Sequence, residues 1–299
     1  MRIAVTGRHG QVARALGEIA GRHGHEVVLL GRPGLDLADP STVLPAIRDA
    51  GAEAVINAAA YTAVDKAESE PDLAEAVNGA GAGAVAAAAA ELGLPVLHVS
   101  TDYVFDGSKP EPYGEDDAVG PLGAYGRSKL AGERAVAAAN PRHAILRTAW
   151  VYAPYGANFV RTMLRIAGNK PDVSVVADQH GCPTSALDIA TTLLAVAARM
   201  AAEPENRDLT GVFHMAARGE AVWADVAEAV FAASRAKGGP SATVNRITTA
   251  EFPTQARRPA NSRLDCSKLE RVYGISLPEW HGPLERTVSR LLNDAARAG

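Results

Sequence analysis

Short apolar runs alternate with helix-period stretches through the first half of the chain. The runs "RIAVTG", "HEVVLLG", "AEAVINAAA", "LPVLHVST" and "HAILRTAWVY" predict strands. Between them, "QVARALGEIAGRHG", "STVLPAIRDAG", the segment from Asp72 to Gly93 and "GRSKLAGERAVAAAN" predict helices. This alternation implies a parallel sheet with helices on both faces. Right-handed crossovers then wind it as a Rossmann-type doubly wound α/β sheet.

After Tyr152 the rhythm loosens. "ANFVRTMLRIAG" and "SALDIATTLLAVAARMA" predict helices, "DVSVVA" a short strand, and "GVFHMAA" a strand that can join the sheet. The tail from Gly219 mixes a helix at "WADVAEAVFAASRA" with the loops "GGPSA" and "EFPTQARRPANS". The expected division is a cofactor-binding domain at 1–152 plus about 184–217. A smaller, mainly C-terminal substrate domain takes 153–183 and 218–299.

Composition narrows the options. With 299 residues, 47% apolar and 21% charged, the chain can bury a large core. A net charge of -4 gives no basic excess for nucleic acid. No run of about 18 apolar residues predicts a membrane span. The segment "AGAGAVAAAAAELG" is rich in small residues and reads as a helix packed closely on a sheet. Two cysteines, Cys182 and Cys266, offer no disulfide framework and no metal-ligand spacing. The chain opens directly into a strand, without a signal-peptide pattern, so the expected location is the cytoplasm.

The first candidate chemistry is the turn "TGRHGQVA", with Gly7, Gly10 and Ala13 at GxxGxxA spacing between a strand and a helix. Gly7 serves the tight turn, Gly10 lets backbone approach a pyrophosphate, and the helix N-terminus offers N–H groups to an anion. The same pattern fits a plain strand-to-helix turn. At the end of the second strand, where an acid would bind a ribose 2′-OH, stand Gly31 and Arg32. A guanidinium there suits a 2′-phosphate, with Arg8 as a second clamp, so NADPH is expected ahead of NADH. Both arginines also fit a solvated surface. Asp36 in "LDLAD", with Leu37 beside it, falls near the adenine.

The second is "STDYVFDG", a polar cluster at the mouth of the strand "LPVLHV", followed by "YGRSK". Tyr125 and Lys129 are four residues apart and share one helix face. A phenol with an ordinary pKa of about 10 exchanges a proton near neutral pH only with help, and a neighbouring ammonium gives it. Thr101 stands where doubly wound folds place ligands, able to bond a substrate carbonyl that Tyr125 protonates. The plainer account has Ser100 and Thr101 capping a loop and Tyr103 packing. In "ARRP", Arg257 suits a nucleotide diphosphate or an ordinary surface. His180, Cys182 and Trp223 read as structural residues, and the acidic "AESEPDLAEA" as a helix start favoured by the dipole.

These residues together resemble the extended short-chain dehydrogenase/reductases. The longer motifs "NAAAYTAVDKAESEP", "STDYVFDG", "YGRSKLAGE", "RTAWVYAPYGANFVRTML", "DQHGCPTSALDIA" and "PTQARRPANSRLDCSKL" resemble the dTDP-4-dehydrorhamnose reductase family within them. The resemblance runs from Met1 to about Leu291. It implies Tyr125 as proton donor, Lys129 as its partner and Thr101 as third member of the triad. It implies Gly10, Gln11 and Val12 along the cofactor diphosphate, and Ala58, Ala59, Tyr61 and Asn78 further along the cofactor. Thr101, Asp102, Tyr103 and Trp150 would meet the sugar nucleotide.

Two departures from the family pattern stand out. Ala13 replaces a third glycine, and Gly31-Arg32 replaces an acid, which favours NADPH and leaves NADH open. Some members dimerise around a divalent metal. No acidic cluster here is specific enough to assign one, so no metal site is expected, and Mg2+ and a homodimer stay open. The activity implied is reduction of the C4 ketone of dTDP-6-deoxy-L-lyxo-4-hexulose to dTDP-L-rhamnose. A 4-ketoreductase of another dTDP-deoxysugar, or a non-catalytic NADP-binding regulatory subunit, are the competing readings. The intact Tyr125, Lys129 and Thr101 argue against the latter.

Overall fold

The computed structural model describes residues 1–298 and is built round six parallel strands. β1 (Arg2–Thr6) passes through the glycine turn into α1 (Gln11–Ile19), and the chain returns as β2 (Glu26–Leu30). α2 (Val43–Ala50) crosses to β3 (Ala54–Asn57). The short α3 (Val64–Ala67) precedes α4 (Pro71–Glu75) and α5 (Gly81–Glu91), which a π-turn at Ala76–Ala80 joins end to end. β4 (Val96–Thr101), α6 (Ala124–Ala139) and β5 (His143–Thr148) complete the alternation.

The chain then leaves the sheet through β6 (Val151–Tyr152), α7 (Phe159–Ala167), β7 (Asp172–Val176), β8 (His180–Gly181) and β9 (Thr184–Ser185). α8 (Ala186–Ala202) packs back on α1, and β10 (Gly211–His214) joins the sheet beside β5. β11 (Ala221–Val222), α9 (Trp223–Arg235), β12 (Thr243–Ile247), α10 (Ser267–Tyr273) and α11 (His281–Ala298) finish the described chain.

The strand order β10-β5-β4-β3-β1-β2 reverses its winding between β1 and β3. Sheets wound in this way hold ligands at the carboxyl ends beside such a reversal. The inner strands are continuous apolar runs because both of their faces are covered. Leu16, Ile189, Leu193 and Phe213 fill one side, and Ile47, Val85 and Val136 the other. A further apolar cluster, with Val160, Phe231 and Leu284, joins α7, α9 and α11.

Three sequence expectations change. "HAILRTAWVY" is not one strand: Trp150, at φ 47°, breaks it, so β5 stays in the main sheet and β6 pairs with β9. β12 escapes the hydrophobic pattern because three of its five residues are exposed; it pairs in parallel with β7. The helix Pro71–Glu91 is, by length and composition, able to cross a membrane, with a window of mean hydropathy 1.2, although no such run was expected. Its alanines reach that value without large side chains, and half of the window is buried within the fold.

Candidate active site

The glycine turn forms as its spacing predicts. Gly7 sits at φ 99°, a conformation that favours glycine, and its N–H donates to the carbonyl of Leu30 at 2.6 Å. Gly10 precedes α1 with open space where a Cβ would stand, and no side chain caps the first N–H groups of that helix. An anion can therefore reach them. Val12 is buried under the turn. The side chain of Gln11 ties α1 to the neighbouring loops: Nε2 donates to Val151 O at 3.3 Å, and Oε1 accepts from Asn158 at 2.9 Å.

At the end of β2, Arg8 lies against Gly31, where any Cβ would press on its Cγ at 3.1 Å. Arg8 Nε donates to Leu29 O at 3.2 Å, and Arg32 is exposed beside it. Asp36 Oδ1 accepts from the Ala38 N–H at 3.0 Å, and Leu37 is buried. Two cations and no acid thus occupy the end of this strand, a donor set that matches a phosphate better than a ribose hydroxyl.

Beyond β3, the segment with Ala58, Ala59 and Tyr61 is held from behind. Asn78, 1% exposed in the π-turn, accepts from Tyr61 N–H at 2.7 Å. Its amide donates to Tyr61 O and to Ser128 Oγ, each at 3.0 Å. Through these bonds Asn78 braces the loop against α6. The acidic run "AESEP", read from sequence only as a helix start, braces it too. Asp65, just before that run, accepts both Nη atoms of Arg258 and the N–H of Ala256. Glu68 accepts the N–H of Ala124 at the start of α6, and Glu70 the hydroxyl of Tyr61. No local pattern announces these partners, which lie up to 193 residues away.

Thr101 ends β4 and Tyr125 opens α6, so topology brings them together. Thr101 Oγ1 accepts from Tyr103 N–H at 3.2 Å and donates to Asp102 Oδ1 at 2.9 Å. The capping role that the plainer sequence account gave it is therefore real, and it coexists with the approach to Tyr125. Burial pushes the Tyr125 phenol up to about 12; the neighbouring Thr101 hydroxyl opposes this and the charge of Asp102 adds to it. Tyr103 packs its ring edge-on against Tyr125, with centroids 5.8 Å apart. Both rings line a narrow cleft that Val64, Leu122, Arg257 and Pro259 close from the far side. Lys129 is 2% exposed and its Nζ points inward, donating to Val99 O at 2.7 Å and lying 3.2 Å from His98 Nε2. Burial pushes this amine down to about 8, against the opposing charge of Glu133. The spacing thus places both groups on one helix, and the ordinary phenol-lowering effect of an ammonium does not register on Tyr125.

Asp102 is 3% exposed, and burial lifts its carboxyl from 3.8 to about 6, against the hydrogen bond from Thr101. A raised acid favours the folded state at low pH, and that contribution is lost as pH rises through about 6. Asp102→Asn is therefore expected to gain stability over the parent at pH 8 and little at pH 4, with about 3 kcal/mol at stake. Thermal melts of both proteins at the two pH values check this.

Trp150, half-buried, is stacked on Trp223 with ring centroids 3.7 Å apart and planes 6° from parallel. Phe159 leans on Trp223 in turn, at 4.6 Å. A Cβ on Gly181 would fall on the Trp150 indole, nearest Cε2 and 2.6 Å from both Cζ2 and Nε1. Trp223, read from sequence as core packing, is thus the support of Trp150. His180 is exposed on β8 and Cys182 is buried, both clear of the cleft lining. Among the described residues no group of three or more His, Cys, Asp or Glu side chains is placed to hold a metal ion.

A doubly wound sheet, a glycine turn at its switch point and a Thr–Tyr–Lys set at the next strand end define an oxidoreductase of the extended short-chain dehydrogenase/reductase type. The family model described as RmlD substrate binding domain matches residues 1–293. A dTDP-4-dehydrorhamnose reductase of Sinorhizobium fredii is 55% identical over 292 residues, 98% of each chain. That of Escherichia coli K12 is 40% identical over 302 residues, 99% of this chain and 100% of the other. The crystal structure of a dTDP-4-dehydrorhamnose reductase from Clostridium acetobutylicum superposes with TM-score 0.89 at 38% identity, covering 98% of this chain and 100% of that one. That of Bacillus anthracis, in complex with NADP, gives 0.87 at 33% identity, covering 96% and 98%. The chain belongs to the RmlD substrate binding domain family, that of the dTDP-4-dehydrorhamnose reductases.

Proposed function

We propose that this protein reduces the C4 ketone of dTDP-6-deoxy-L-lyxo-4-hexulose to give dTDP-L-rhamnose, with NADPH as the preferred cofactor. The observation that carries the reading is the juxtaposition of Thr101 and Tyr125 at the sheet's carboxyl edge, in a chain 55% identical to a relative of that name. The open N-terminus of α1 and the glycine turn fit a pyrophosphate, and Arg8 and Arg32 fit a 2′-phosphate. The Bacillus anthracis neighbour, solved with NADP, supports this choice. Bound there, the nicotinamide supplies hydride to C4.

The chain's own groups do the rest. Tyr125 is a phenol at neutral pH, so its Oη is ready to give a proton to the C4 oxygen as negative charge develops. Thr101 holds that hydroxyl in line, and Asp102 anchors Thr101. Lys129 backs the tyrosine from inside α6. Arg257, which lines the cleft, is suited to the diphosphate of the sugar nucleotide, and Trp150 is assigned to pack against that substrate. Cofactor binding is assigned to 1–152 with about 184–217, and substrate binding to 153–183 with 218–299.

A coupled assay tests the reading. dTDP-4-keto-6-deoxy-D-glucose, supplied with a 3,5-epimerase, should drive NADPH consumption faster than NADH consumption, and NMR should identify dTDP-L-rhamnose. Tight cofactor binding without turnover would overturn the substrate assignment. A faster rate with NADH would overturn the role given to Arg32.

A further inference from the structure

Two adjacent arginines, Arg257 and Arg258, stand in the segment that closes the cleft from its far side, and they have different surroundings. Arg257 is exposed and lines the cleft, and among the described residues it has no hydrogen-bond or ion-pair partner. Arg258 is half-buried and forks onto Asp65, with Nη1 at 3.1 Å from Oδ1 and Nη2 at 2.8 Å from Oδ2. Neighbours in sequence are thus split between an open cation and a committed one.

The segment is a strap tied at both ends. Upstream, the Thr249 N–H and hydroxyl donate to Asp178 Oδ1 at 2.9 and 2.6 Å. Downstream, Ala260 O accepts from the His180 N–H at 2.8 Å, and Asn261 Nδ2 donates to the carbonyls of Lys109 and Glu111. Pro259 closes against Gly107, where a Cβ would fall 2.5 Å from its own. Between these ties, residues 251–255 are all exposed, Phe252 among them at 56%. Among the described residues, every hydrogen bond that 253–259 make outside the strap ends on Asp65. The Ala256 N–H donates to Asp65 Oδ1 at 3.0 Å, and Arg258 Nη1 also donates to Ala256 O at 3.2 Å. One carboxylate therefore grips the backbone before Arg257 and the side chain after it.

We propose that Asp65 is a positioning residue for the diphosphate of the sugar nucleotide: by gripping Ala256 and Arg258 it fixes the backbone that aims Arg257 at the cleft. The proposal rests on reading Arg257 as the diphosphate ligand. A long cation on a loose strap loses backbone and side-chain freedom together when it meets a phosphate. Fixing residues 256 and 258 beforehand leaves only the side chain to order. The carboxylate also spends the charge of Arg258, so the second cation does not compete for the ligand. The Arg258 guanidinium in turn holds the Asp65 carboxyl below the ordinary carboxylate range, which keeps the pair ionised at neutral pH. Asp65 follows Val64, which lines the cleft from the opposite side, so the same tie sets one wall against the other.

Calorimetric titration of the full chain with dTDP tests this without turnover. Asp65→Asn keeps an acceptor for the Ala256 N–H and removes the charge. It should raise the Kd for dTDP about fivefold and leave NADPH affinity within about twofold, as befits a partly exposed pair. Arg258→Met should do the same, and covers the case in which Asp65→Asn does not fold. The double variant should be no weaker than either single one, because the two residues act as a unit. Arg258→Lys, which keeps a cation for Asp65, should recover part of the loss. In the coupled assay the change should fall on KM, with kcat nearly kept. Unchanged dTDP affinity in folded Asp65→Asn, or additive losses in the double variant, would overturn the proposal. Tighter dTDP binding by Asp65→Asn would overturn it too, and would make Arg258 the ligand. Arg257→Met with dTDP affinity unchanged would instead remove the diphosphate reading beneath it.

Discussion

Tyr125→Phe is expected to lower turnover by at least about a hundredfold while leaving cofactor affinity nearly unchanged. The substitution deletes one oxygen and little else. The ring keeps its edge-on contact with Tyr103, and the Tyr125 carbonyl still accepts from Ser128 Oγ at 2.9 Å. What disappears is the hydroxyl beside Thr101, held as a phenol because burial lifts it to about 12. Steady-state kinetics with the dTDP-sugar, alongside fluorescence titration of NADPH, separate the two effects. Equal loss in kcat and kcat/KM would mark an interaction made in the transition state. Unchanged turnover would remove Tyr125 from the chemistry.

The largest stability effect is expected behind the site, at Arg147. Its Nε and Nη2 donate to the two carboxylate oxygens of Glu133 at 2.9 and 2.7 Å, with side chains only 4% and 5% exposed. Ser100 adds a third bond to Glu133 at 2.6 Å, and the guanidinium lies over Phe105. Arg147→Met should reduce the unfolding free energy by about 3–5 kcal/mol, since it strands a buried carboxylate. Arg147→Met with Glu133→Gln should lose less, because no charge is left uncompensated. The exposed pair Arg48–Glu91, at 54% and 57% exposure, should contribute about 0–1 kcal/mol by the same denaturant measurement.

Local signals announced the parts of the site that depend on neighbours in sequence. Gly7 and Gly10 sit at a turn whose strand, turn and helix are consecutive, and Tyr125 and Lys129 share a face because a helix repeats every 3.6 residues. Thr101 was marked as a hydroxyl at the end of an apolar run. The supports were hidden because each depends on a distant partner. Trp223 is an apolar residue on an amphipathic helix until Trp150 turns to meet it, and that turn needs a left-handed backbone no pattern predicts. Glu68 and Glu70 read as a favourable helix start and Asp65 carried no reading of its own; only the return of Arg258 and Ala124 shows what they hold. His98 was one more residue of a buried strand. Its neighbours Asn57 and Lys129 lie 41 and 31 residues away.

The π-turn between α4 and α5 carries a consequence for chain length. It places one extra residue in an otherwise continuous helix, and so brings the carbonyl of Asn78 against Gly132 of α6 with no room for a Cβ between them. Deleting a residue of 81–84, where the helix is regular, would rotate everything after it by about 100° relative to Asn78. Val85, Ala86 and Ala89 would swing off the sheet, while Asn78 would keep Tyr61 and Ser128. Indels are therefore excluded from the regular turns of this helix even where substitutions are tolerated, and the π-turn is the one place that absorbs a residue. The spacing between the loop beside the cofactor and the helix carrying Tyr125 behaves as a fixed ruler.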